Sequence, residues 1–128
     1  MIGSRFIIVF KSIFIALVQL LGMQYIQEMK DLTSKERSIL GKMAHDIRPV
    51  MQIGSKGLTK AIELKAEQSL QAHELIKIKF VDYKGEKNTI ATTICEKCNA
   101  ALVRIIGNNV IIYRPAEKEE DRKYNIAL

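Results

Sequence analysis

The sequence predicts an α/β domain in the order α-β-α-β-α-β-β, a four-stranded mixed sheet with three helices, behind an apolar N-terminal helical segment. Three observations carry that reading. Cap signals at Thr33-Ser34-Lys35-Glu36 and at Thr59 each precede a stretch with helical apolar spacing. Leu75-Ile76-Lys77-Ile78-Lys79-Phe80-Val81 alternates apolar and basic residues through its middle, as a strand with one wet, positive face does. Leu102–Gly107 and Val110–Arg114 flank Asn108-Asn109, and a glycine-asparagine turn between β-branched runs signals a hairpin.

Taken in order, Thr33 and Glu36 form a capping box, and Ile39, Leu40 and Met43 supply a narrow apolar stripe for a first helix over 33–45. Pro49 ends it, because a proline pushes the residue before it toward extended geometry. Pro49–Ile53 reads as a short strand with proline first, where no ladder donor is missed. Gly54-Ser55-Lys56-Gly57 is a turn, and Thr59 caps a second helix over 60–73 with Ile62, Ala66 and Leu70 on one face. After the strand at 75–81, Gly85 opens a third helix over 86–99 whose buried stripe is Ile90, Ile94 and Cys98. The hairpin comes next, and Pro115 closes the domain. Helices alternating with strands imply parallel crossovers in one part of the sheet, and the hairpin adds an antiparallel part.

Composition agrees with one folded domain: 48% of the 128 residues are hydrophobic and 27% are charged, which excludes a disordered chain. The net charge is +6. Residues 1–28 carry Arg5 and Lys11 against Glu28, and residues 116–128 hold one more acid than base, so residues 29–115 carry +6 by themselves. A compact basic body favours polyanions, either nucleic acid or an anionic membrane surface. A basic surface kept only for solubility is the plain alternative.

Residues 6–23 read FIIVFKSIFIALVQLLGM, and with Arg5 ahead of them they look like a signal anchor or a short membrane span. Three origins compete. The segment could tether the protein to the inner membrane. It could be an export signal, although no good A-x-A-type cleavage site comes after it. Or it could be upstream sequence ahead of a true start at Met23 or Met29. The third is favoured, because the chain beyond Met29 reads as a complete cytosolic domain with its own helix start. The organisation expected is therefore an extension at 1–28, a domain at 29–115, and a charged tail at 116–128, solvated and loosely ordered.

The chemistry centres on Gly54-Ser55-Lys56-Gly57, which joins a strand to a helix. Two glycines so spaced let the backbone turn sharply and approach a ligand with no Cβ in the way. The next helix turns its free amides and positive end toward the same place, and Lys56 and Lys60 add charge. That suits a sugar-phosphate backbone, as a GxxG loop does in KH domains. It is not a Walker loop. Taken alone, most such tetrapeptides are merely turns.

In the wider stretch from Asp46 to Thr59, DIRPVMQIGSKGLT, the chain resembles the signature of the YhbY-like CRM domain family. His73-Glu74-Leu75-Ile76-Lys77-Ile78-Lys79 and the segment from Ile106-Gly107 to Tyr113-Arg114-Pro115 match its two later blocks in order and spacing, so the resemblance covers about 31–115. It implies a four-stranded mixed sheet with three helices and a non-enzymatic, cytoplasmic protein that contacts ribosomal RNA in precursors of the large ribosomal subunit. Carried over by position, it implies RNA contact by Gly54, Ser55, Lys56 and Gly57, then by Arg48, Lys77, Lys79, Arg104 and Arg114, with Lys60 beside the loop. The expected contacts are to phosphate, which positions RNA without reading its sequence. For each lysine an ordinary solvated charge is an equal reading, and Arg114 could face RNA or pair with a carboxylate.

Cys95-Glu96-Lys97-Cys98 lies late in a helix and has no second cysteine pair, so the residues read as packing rather than as a zinc or redox site. His73 at a helix end is explained by the dipole there. No catalytic constellation, metal or cofactor is expected, nor a small-molecule substrate. The chain is expected to be a monomer, with a membrane as partner only if residues 6–23 are expressed.

Overall fold

The computed structural model describes residues 32–124 and 126, so the apolar segment at 6–23 lies outside the described residues. Helix α1 spans Ser34–Met43, with Thr33 accepting from the Glu36 amide and Glu36 accepting from the Thr33 amide, both at 3.1 Å. The capping box therefore forms as read. The helix stops at Met43 rather than near 45, in a turn where the His45 and Ile47 amides donate to the Lys42 and Ala44 carbonyls. Met43 is exposed, and α1 instead buries Leu40, Gly41 and Ala44.

Strand β1 is Met51–Ile53, two residues shorter than read. Helix α2, Lys60–His73, has the expected bounds and Thr59 as its cap. Strand β2 is Leu75–Phe80. A short 3-10 turn at Lys84–Glu86 leads into α3, Lys87–Cys98, which ends at Asn99 in the left-handed conformation. Strands β3, Ala101–Ile106, and β4, Asn109–Tyr113, form the hairpin around Gly107-Asn108, with Gly107 at φ +59° as the turn requires.

The sheet runs β1-β2-β4-β3. β1 and β2 are parallel through α2, while β4 pairs antiparallel with both β2 and β3. Strand alternation gives the sheet two different faces. Met51, Ile53, Ile76, Ile78, Phe80, Val110 and Ile112 pack under α2 and α3 against Ala66, Leu70 and Ile94. On the other face Leu75, Ala101, Val103, Ile111 and Tyr113 pack against Leu32, Leu40 and Ala44. Burying a side chain the size of Leu40 or Phe80 stabilises by about 1.5–3 kcal/mol, and both are essentially solvent-free.

The described part of the tail folds back onto the domain. Its charged side chains are exposed, but its backbone is tied down because Glu74, buried and at φ 64°, turns its carboxylate to the returning chain. Glu74 accepts from the amides of Ala116 (3.3 Å) and Lys123 (2.5 Å). The Tyr124 ring then meets Tyr113 edge-on at 6.4 Å, and Ile126 joins the same cluster. Burial, with the Glu74 carboxylate nearby, pushes the Tyr113 hydroxyl up to about 12.

Candidate nucleic-acid interface

The loop Gly54–Gly57 closes as a turn, with the Gly57 amide donating to the Gly54 carbonyl at 3.0 Å. Its two glycines have different reasons to be there. Gly57 sits at φ +65°, and a Cβ on it would stand 3.2 Å from the Tyr83 ring, so both backbone and space demand glycine. Gly54 has no positive φ, and a Cβ on it would meet nothing within 4 Å. The strand-to-helix geometry thus requires Gly57 but leaves room for a side chain to begin at Gly54. Thr59 takes the Ile62 amide at 3.2 Å, while the Lys60 and Ala61 amides have no acceptor within the helix, which leaves the positive end of α2 beside the loop. Ser55, Lys56 and Lys60 are exposed.

The strand register builds the rest. Gln52, Lys79, Asn109 and Ile106 form one row across the α1 side of the sheet; Lys77, Ile111 and Arg104 form the next. Lys79 is exposed and lies next to Phe80, the partner of Ile53, from which the loop departs. Lys77 reaches the His45 carbonyl at the end of α1 at 3.4 Å. Arg104 lies along α1, where a Cβ on Gly41 would stand 3.3 Å from its guanidinium. A β-bulge between Leu102 and Arg104 sets this direction: it lets Val103 and Arg104 both turn to the α1 side. Arg37 serves the bulge, donating to the carbonyls of Leu102 (2.6 Å) and Val103 (3.4 Å). Arg48 is exposed in the link between α1 and β1.

Among the described residues none of Arg48, Lys56, Lys60, Lys77, Lys79 and Arg104 pairs with a carboxylate; the ion pairs there are Lys97–Glu63 and Arg114–Glu67. Arg114 differs from the other cations. Coming after Tyr113 at the end of β4, it points to the α2–α3 side and donates to Glu67 (2.7 Å) and to the Cys98 carbonyl (2.8 Å). The Arg114 hydrogen bond holds the Glu67 carboxyl below its ordinary value. Of the two roles left open for this arginine, the structure places it in the carboxylate pair.

The residues matching the CRS1/YhbY (CRM) domain model run from 32 to 114, the whole of this sheet and its helices. The chain belongs to the CRM family. It is similar to a Haemophilus influenzae protein named "RNA-binding protein", with 36% identity over 70% of this chain and 92% of that one. A Bacillus subtilis protein, "Probable RNA-binding protein YqeI", is 28% identical over 70% of this chain and 94% of its own length. The solution structure of a hypothetical Staphylococcus aureus protein, described as a candidate RNA-binding protein, superposes with a TM-score of 0.63 at 30% identity, covering 73% of this chain and 98% of that one.

Within this CRM domain three residues near the loop escaped the sequence reading. Gln52 shares the Lys79 row, a position that the apolar-polar-apolar pattern of β1 made readable. Lys87 donates to the Gly107 carbonyl at 2.5 Å and pins the hairpin turn to α3. Tyr83 packs on Gly57, and only an aromatic residue inside a polar turn hinted at it. Cys95 and Cys98 are buried on α3 as read, and burial, then Glu67, pushes the Cys98 thiol up and away from reactivity. His73 is exposed at the last position of α2. Among the described residues no helix is long and apolar enough to cross a membrane.

Proposed function

We propose that this CRM-family chain is a non-enzymatic protein that grips ribosomal RNA by its phosphates during assembly of the large ribosomal subunit. The observation that carries the reading is an array of six cations, Arg48, Lys56, Lys60, Lys77, Lys79 and Arg104, running from the α1 flank to the exposed loop with no carboxylate among the described residues holding any of them. Cations already paired would have to break those pairs to take a phosphate; these six do not. Gly54, which the fold does not need as glycine, leaves the loop backbone bare where a phosphate would approach. The ribosomal target rests on the family resemblance read in the sequence, and with it goes a cytoplasmic location.

A sucrose-gradient profile of the tagged native protein at low and high salt tests the reading. Co-migration with a precursor of the large subunit, lost at high salt, is expected. Protein that stays with the free fraction, or pellets with membranes, would sink the ribosomal role. The latter would turn attention to residues 6–23 as an anchor for a basic domain on anionic lipid.

A further inference from the structure

Tyr83 is held in an unusual way. Its backbone is left-handed, φ 52° and ψ 35°, a conformation that a bulky residue adopts only at a cost of about 1–2 kcal/mol. Three ties impose it. The Val81 and Asp82 amides both donate to the Ile53 carbonyl, the Asp82 carboxylate takes the Tyr83 amide at 2.8 Å, and the Tyr83 carbonyl accepts from Glu86. The strained segment does not bury the ring. Tyr83 is 40% exposed, with one side of the ring against the place where Gly57 lacks a Cβ. Lys56 directly precedes Gly57 and Lys84 directly follows Tyr83 in the sequence, and both are exposed.

A fixed, half-open aromatic ring beside a glycine loop is what single-stranded nucleic acid requires: the loop takes the backbone and the ring takes a base. We propose that Tyr83 is a base-stacking platform, so that the loop selects an unpaired nucleotide (a hairpin loop, a bulge or a single-stranded end) over continuous duplex. The proposal rests on the RNA-binding reading and narrows its substrate class. In a duplex each base is already stacked and its edge is paired, leaving the ring nothing to cover.

The chain has no tryptophan, so Tyr83→Trp in the full-length protein installs a single fluorescent reporter at the site. Labelled oligomers titrated in parallel read affinity by anisotropy. Three probes serve: an unpaired RNA oligomer, the matching duplex, and an abasic ribose-phosphate oligomer of equal length. Unpaired RNA should quench the tryptophan, and the abasic oligomer should bind without quenching. Tyr83→Ala should weaken unpaired RNA on the order of 10-fold or more while moving duplex and abasic affinities little. Tyr83→Phe, which keeps the ring, should bind as the parent does. Equal losses for all three probes on Tyr83→Ala would make the ring a mere spacer for the loop and overturn the proposal, as would unquenched tryptophan on bound RNA. A parent protein that binds none of the probes would overturn the RNA reading itself, a different result from RNA bound without stacking.

Discussion

If affinity rests on the six cations arrayed around the loop and the α1 flank, salt must dissect them. Each phosphate neutralised releases counterions, and the slope of log K against log salt is about −0.7 per contact for single strands and about −0.9 for a B-form duplex. Six contacts, from Arg48, Lys56, Lys60, Lys77, Lys79 and Arg104, give a slope between about −4 and −5, a loss on the order of 10²–10³-fold between 50 and 200 mM salt. The structure makes a sharper statement about individual residues. Lys79 is exposed and pairs with no carboxylate among the described residues, so Lys79→Gln should flatten the slope by about 1. Arg114 is already engaged by Glu67 and the Cys98 carbonyl, so Arg114→Gln should leave the slope alone. Fluorescence anisotropy of a labelled RNA across four salt concentrations measures all three. A parent slope shallower than about −2, or equal flattening by the two substitutions, would refute phosphate neutralisation by this face.

The loop glycines should separate in the same assay. Gly54→Asp puts a negative side chain into open space and should weaken RNA binding with the melting temperature unchanged, whereas Gly57→Asp should also destabilise, by about 1 kcal/mol or more, because of its φ and the Tyr83 ring. Arg114→Ala strands the Cys98 carbonyl and should lower stability by about 1–2 kcal/mol in denaturant melts. The paired Glu67 is held below its ordinary pKa, so it binds fewer protons folded than unfolded; its contribution is whole above that ordinary value and is lost as pH falls through the depressed one, and Glu67→Gln should flatten acid melts in that window. Glu74→Gln leaves one carboxylate-type acceptor for two backbone amides and should speed hydrogen exchange at Ala116 or Lys123 while RNA affinity holds.

Local chemistry was legible in the sequence wherever one residue type decided the geometry. Thr33 with Glu36 set the start of α1, Thr59 set that of α2, and Gly107-Asn108 set the hairpin. Legibility failed where the decision was tertiary. Met43 has helical spacing from Leu40, yet α1 meets the sheet through Leu40, Gly41 and Ala44, so Met43 faces water. The tail lacks the apolar density of an ordered segment, and it meets the domain through a buried carboxylate 42 residues before Ala116 and through Tyr124 and Ile126. The candidate cations divide the same way. Lys77 and Lys79 fall on one face by strand period alone. Strict alternation from Val103 would have sent Arg104 to the helix side, the side of Arg114; the bulge reverses it, and no residue in β3 announces a bulge.

That reversal places on opposite faces of the sheet two arginines that look equivalent in sequence. Arg114 lies between α2 and α3, where its charge is used up holding Glu67 and a helix-end carbonyl. Arg104 lies on the α1 flank with Lys77, with its charge unspent on any carboxylate among the described residues. The loop adds rigidity to this open charge. Gly57 is held by its turn bond and Tyr83 by the bonds around it, one of them to the Asp82 carboxylate, so on the proposed reading little ordering entropy would oppose RNA binding there. Lys56, Lys60 and Lys79 are exposed, so on the same reading they would follow phosphates of differing geometry. A rigid loop with mobile charge around it fixes where the backbone sits without fixing which bases it carries. On the proposed reading, whatever discrimination the domain has would come from the shape of the RNA and from the one ring set beside the loop.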